Sequence, residues 1–156
     1  MAGIGAFVSG EKRIIEYLRY TMRSHIFVKA LPVPLVIGVL ERLNVLKSES
    51  VLRERLWRNV HKLQSGLKNE GFDLGSTESP VTPVYLHGST EEAIKLNMDL
   101  RESFSIFCSL VVYPVVPKGT IMIRIIPTAE HTDSDTDYTI NAFKEISNNL
   151  KSGKYQ

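Results

Sequence analysis

Cysteine is almost missing from this sequence: Cys108 is the single one in 156 residues. An internal disulfide is therefore impossible, and the composition suits a reducing cytoplasm. An excess of charge of one sign is missing too. The 19 basic residues face 17 acidic ones, a formal net charge of +2. That balance is too even to draw the chain to nucleic acid or to a membrane surface. No apolar run is long enough to span a bilayer. The segment from Met1 to Lys12 lacks the basic start and long apolar stretch of a signal peptide. Metal-ligand spacing is also lacking, because His25, His61, His87 and His131 are dispersed. What is present is 43% hydrophobic and 23% charged residues, the make-up of a globular domain able to bury one core.

Some patterns imitate chemistry and fail on inspection. Asp133, Asp135 and Asp137 look like the start of a calcium loop, yet Tyr138 stands where glycine is needed and Lys144 where a bidentate glutamate is needed. They read better as acids at a helix start, where they complement the dipole. Gly3, Gly5 and Gly10 do not form a dinucleotide fingerprint, because Val8 takes the place of the third glycine. Cys108 sits in an apolar stretch and reads as a core thiol.

Periodicity divides the chain into elements. Ala6 to Ser9 reads as a short buried strand, and Glu11 to Arg23 as a helix with Ile14, Leu18 and Met22 on one face. The prolines at 32 and 34 start another helix, apolar on more than one side. Ser48 to Ser50 marks a bend. A long helix follows with Leu52, Leu56, Val60, Leu63 and Leu67 inward, closed by Gly71. Pro80 to Leu86 reads as a strand that its prolines confine to a sheet edge. Ser89 and Glu92 form a capping box for a helix that turns Ala93, Leu96, Leu100 and Phe104 inward. Two β-branched runs, Ile106 to Val116 and Thr120 to Ile126, read as strands joined at Pro117-Lys118-Gly119. The last helix starts near Thr132 and carries Ile140, Phe143, Ile146 and Leu150. The fold class expected from this order is α+β, with helices on one face of a largely antiparallel sheet. Residues 1–48, a strand and two helices, do not fit that unit and read as belonging to something larger; residues 49–156 form the unit itself.

One side chain resists a purely structural reading. Arg124 shares a strand face with Met122 and Ile126, and the neighbouring run from Ile106 to Val116 contains no Asp or Glu. A guanidinium on an apolar face calls for an anion. A salt bridge to an acid on a helix would supply it, and so would a carboxylate ligand held by the planar fork.

The string from Val116 through Arg124, followed by Thr128-Ala129-Glu130-His131-Thr132, resembles the C-terminal signature of the α-oxoamine synthases. These are fold-type-I enzymes dependent on pyridoxal 5′-phosphate (PLP). Four further pieces resemble the family in the same order: Gly5 to Gly10, Ile26 to Pro32, Leu52 to Phe72, and Glu78 to Val84. The resemblance implies the small C-terminal domain of such an enzyme, preceded by the tail of its large domain. It implies that Arg124 holds the carboxylate of the amino-acid substrate, and that Val28 and Lys29 lie where the chain approaches the cofactor phosphate of the neighbouring subunit. Family members usually have Ser-Thr at that pair, and Met122 stands in place of a common second arginine. The cofactor-linking lysine is expected upstream of Met1, so no catalytic residue and no metal site are assigned here. The implied activity is a decarboxylative condensation of a small amino acid with an acyl-CoA by a cytoplasmic homodimer, the chain alone being inactive and not holding PLP. A non-catalytic partner subunit, or part of a broader class I/II aminotransferase, would share these features.

The unsuited first 48 residues generate an expectation that light scattering can check. The whole chain should self-associate through apolar surface and unpaired strand edge. A chain from Ser50 to Leu150 should be folded and more soluble. A compact monomer of all 156 residues that the deletion destabilises would place the boundary elsewhere.

Overall fold

The computed structural model describes residues 3–156, and the chain forms two compact units, one ending at Ser50 and the other running Val51–Gln156. In the first, helices α1 (Lys12–Thr21), α2 (Arg23–Ile26) and α3 (Val33–Ser48) bury none of their residues. Phe7, Tyr17, Tyr20, Phe27, Val28 and Val33 are all more than half exposed. The strand expected at Ala6 to Ser9 is not formed; the segment is irregular and exposed. A strand exists only through its ladder, and among the described residues nothing pairs with it. Pro32 caps α3 and Pro34 lies in its first turn, where a missing N–H removes no helical bond. Glu49, at φ −105° and ψ 74°, supplies the bend expected at Ser48 to Ser50.

The second unit carries the expected α+β layout. Its elements are α4 (Ser50–Asn69), β1 (Thr82–Leu86), α5 (Thr90–Glu102), β2 (Ser109–Val111), β3 (Ile121–Ile125) and α6 (Asp133–Lys151). The strands form one antiparallel sheet in the order β1-β3-β2. On β3, Ile121, Ile123 and Ile125 are buried while Met122 and Arg124 are not, so one sheet face meets the helices and the other does not. The core joins Val84, Ile123 and Ile125 of the sheet to Leu63 and Leu67 of α4, Leu96 and Leu100 of α5, and Phe143 and Ile146 of α6. Each side chain of this size contributes about 1.5–3 kcal/mol on leaving water. Gly66 lets α6 come close, because a Cβ there would overlap the Ile140 side chain.

Local chemistry sets the ends of the elements. Gly71 takes φ +87°, and Phe72 N–H donates to Leu67 O at 3.1 Å, closing α4. Ser89 Oγ accepts from Glu92 N–H and Glu92 accepts from Ser89 N–H, both at 3.1 Å. β1 is an edge strand, as its prolines require. Tyr85 N–H points away from β3 and donates to Asp73 O at 2.9 Å. Pro83, two residues earlier on the same strand side, therefore lacks a donor only where no ladder bond is needed. β2 is much shorter than the expected Ile106 to Val116. It stops at Val111, and Val115 N–H turns back to Val112 O at 3.0 Å. Pro114 and Pro117 have no N–H with which to prolong the ladder.

The tail is fixed to α5. Tyr155 is 4% exposed, and its hydroxyl donates to Asp99 Oδ2 at 2.6 Å while Lys154 Nζ donates to the same atom at 2.9 Å. The Tyr155 hydroxyl, with the Ser103 and Lys154 donors, pulls the Asp99 carboxyl down to about 2. A depressed carboxylate pKa stabilises the fold above the ordinary value and ceases to do so as pH falls through the folded one. Tyr155→Phe should therefore destabilise the chain by about 1–2 kcal/mol near neutrality. The gap from the parent should shrink as the pH falls from about 4 toward 2, as measured by urea unfolding across that range.

Candidate functional site

The uncovered face of the sheet is the place to look for chemistry. Arg124 lies on β3, the central strand, opposite Pro83 of β1 and Ser109 of β2. The next row on the same face is Tyr85, Met122 and Val111. The side chains in these rows are half-buried, apart from Arg124, which is exposed. Arg124 does share a face with Met122 and Ile126 as expected, but that face is the open one, and Ile126 is 51% exposed. The premise that burial forces a partner on the guanidinium is thus corrected: it reaches solvent without desolvation. Among the described residues it makes no ion pair. Its five donors remain available to an anion arriving from outside the sheet.

The segment after β3 is rigidly held. Asn59 of α4 is fully buried, and its Nδ2 donates to Thr128 O at 3.0 Å and His131 O at 2.7 Å. Only the amino end of the amide can meet two carbonyls, which fixes its orientation. Thr128 N–H donates to His131 Nδ1 at 2.9 Å, so that nitrogen is bare and Nε2 carries the proton when the ring is neutral. Thr132 then caps α6, its Oγ1 accepting from Asp135 N–H at 3.1 Å. The Thr132 backbone and hydroxyl donors hold the Asp135 carboxyl below its ordinary value. Asp137 pairs with Lys62 at 2.7 Å and Asp133 caps the same ammonium at 3.9 Å. These acids thus start a helix, as expected, and Asp133 and Asp137 also pair with Lys62 of α4. Among the described residues no cluster of His, Cys, Asp or Glu could hold a metal ion.

Asn59 was not singled out from the sequence, yet the signal existed. It lies three residues after Leu56 and four before Leu63, on the stripe that α4 buries. An amide on such a stripe needs partners, and these come from a loop 69 and 72 residues away.

Val28 and Lys29 lie in the first unit, in the loop between α2 and α3, and both are exposed. Lys29 offers a cation suited to a phosphate, whereas the Val28 side chain offers no donor. Lys12, the other lysine near the start, lies on α1 and pairs with Glu16 at 3.8 Å. Of Val28 and Lys29, Lys29 is the one cation, and it is solvent-exposed.

Comparison with known proteins adds the following. The family model for aminotransferase class I and II matches residues 1–143. A cysteate-C-fatty acyltransferase of Capnocytophaga ochracea is 51% identical over the whole chain, which spans 37% of that protein. An 8-amino-7-oxononanoate synthase of Thermoanaerobacter pseudethanolicus is 35% identical over 94% of the chain and 37% of its own length. Among solved structures, a serine palmitoyltransferase from S. paucimobilis with a bound PLP–myriocin aldimine superposes with a TM-score of 0.77 at 28% identity, over 93% of this chain and 36% of that one. An 8-amino-7-oxononanoate synthase from Francisella tularensis gives 0.69 at 25% identity, over 92% and 41%. The expected resemblance to the α-oxoamine synthases and to the fold-type-I enzymes holds. The chain spans little more than a third of the length of the two curated relatives from Capnocytophaga ochracea and Thermoanaerobacter pseudethanolicus. No described helix is long and apolar enough to cross a membrane.

Cys108 is the remaining nucleophile to place. It is 6% exposed within the core, and burial pushes its thiol up to about 11. Such a thiol stays protonated and inert. The native chain should react with a disulfide reagent at pH 8 orders of magnitude more slowly than the same chain in denaturant. Equal rates followed by absorbance would make Cys108 an accessible thiol.

Proposed function

This chain belongs to the aminotransferase class I and II family, and we propose that it is the C-terminal, carboxylate-holding part of a PLP-dependent acyltransferase. The reaction assigned is the decarboxylative condensation of an amino acid with a fatty acyl donor such as an acyl-CoA. The amino acid assigned is cysteate, in keeping with the relative that is 51% identical along the whole chain. The observation that carries the reading is Arg124, an exposed cation at the centre of an open sheet face with no acid beside it.

The chemistry asks little else of this side chain. A planar guanidinium takes both oxygens of a carboxylate, which fixes the direction in which the amino acid lies. PLP, when bound in an enzyme of this kind, supplies the electron sink for bond breaking at the α-carbon. The amine that links the cofactor is assigned to residues outside this sequence, and Lys29 to its phosphate, from a homodimer's second subunit. The exposed apolar side chains of α1 to α3 accord with a segment that packs on further polypeptide.

A hybrid makes the reading testable: these 156 residues replace the matching part of the Capnocytophaga ochracea acyltransferase. The hybrid should condense cysteate in preference to serine, alanine or glycine. Arg124→Lys keeps the charge and loses the fork. It should raise the KM for the amino acid by the equivalent of about 1.5–3 kcal/mol and leave the KM for the acyl donor unchanged. Equal effects on both substrates, or a fall in Tm alone, would make Arg124 structural.

A further inference from the structure

We propose that Asn59 is a positioning residue for Arg124: its buried amide, gripping the loop that follows β3, holds the strand that carries the guanidinium in place over the open face. The inference rests on the reading of Arg124 as the anion-holding side chain.

The grip is made by one side chain. Asn59 is 0% exposed, and its two amide hydrogens reach the carbonyls of Thr128 and His131 at 3.0 and 2.7 Å. Those carbonyls bracket the turn in which Thr128 N–H meets His131 Nδ1 at 2.9 Å and Glu130 N–H meets Thr128 Oγ1 at 3.3 Å. Thr128 follows Arg124 by four residues, and the intervening Ile125 and Pro127 are buried. A shift of this turn is thus carried along a packed strand end. From the other side, Thr132 anchors the turn to α6.

The two bonds fix a geometry as well as adding stability. Asn59 Oδ1 accepts no hydrogen bond from the described protein groups, so the grip is made by the amino end alone. An apolar residue on the same stripe would leave the Thr128 and His131 carbonyls, which face a fully buried side chain, without these donors. Lost with them would be the single placement of the turn. Polar groups in cores that fix one arrangement are known elsewhere.

Asn59→Leu removes both donors at similar size. Three measurements test it. In the unmodified chain, the Asn59 side-chain amide protons should exchange far more slowly than those of exposed asparagines; fast exchange would overturn the proposal without any variant. In the full chain labelled with 15N, His131 should show the single Nε2–H tautomer, and Asn59→Leu should replace it with an averaged pattern. In the hybrid enzyme, Asn59→Leu should raise the KM for the amino acid by about fivefold, the equivalent of one net hydrogen bond, with the KM for the acyl donor unchanged. An unaltered His131 pattern, or both constants rising together, would refute positioning. Arg124→Lys run alongside separates the two claims. An unchanged KM there refutes the Arg124 reading and this proposal with it. A raised KM there, with none in Asn59→Leu, refutes this proposal alone.

Discussion

A three-stranded sheet has two faces, and in Val51–Gln156 the helices α4, α5 and α6 all pack on one of them. Everything distinctive about this unit follows from that one-sidedness. The covered face absorbs Thr82, Val84, Ile121, Ile123 and Ile125, and their burial provides the cohesion. The uncovered face is then free of the requirement to be apolar. Strand alternation puts Arg124 on it, with Pro83 and Ser109 as its cross-strand neighbours. A cation there avoids desolvation and makes no ion pair among the described residues. Buried on the opposite face, the same residue would need a carboxylate of the protein.

The ends of the elements matter as much as their faces. β3 carries Arg124 at its next-to-last position before a loop, and loops are where placement is most easily lost. Here the loop is closed on itself through His131, capped by Thr132 and held by Asn59 from a helix distant in sequence. The tail beyond α6 is fixed similarly, through Tyr155 and Lys154 on Asp99. Charge pairs on the surface between α4 and α6, such as Lys62 with Asp137, add little because they are exposed. Buried polar contacts do the placing, and apolar burial supplies the stability.

The first unit is different in kind. Its helices have no side-chain N-caps; Pro34 stands in the first turn of α3 and Lys12 pairs with Glu16 along α1. They bury nothing, which is the reverse of what their apolar content would predict for a self-sufficient domain. Local propensity forms the helices, while their apolar side chains remain exposed. The missing strand at Ala6 to Ser9 has the same origin, since a strand is a property of two segments and a helix of one.

From the sequence alone came each helix from α1 through α6 apart from the single turn α2, the bend at Ser48 to Ser50, the Ser89–Glu92 capping box, the edge placement of β1 and the inward faces of α4, α5 and α6. Those features depend on neighbours within a few residues or on the period of one element, so one-dimensional pattern reaches them. Arg124 was legible as an anomaly in the alternation of β3. Which face of the sheet it occupied was not, because a pattern of alternating residues says that two faces differ and not which of them the helices will cover. The length of β2 depended on where Pro114 and Pro117 left the ladder. The partners of Asn59 and Tyr155 depended on residues far away in sequence brought together by the core. Tertiary packing decided these, because hydrogen-bond partners of buried polar groups are set by where the folded elements meet.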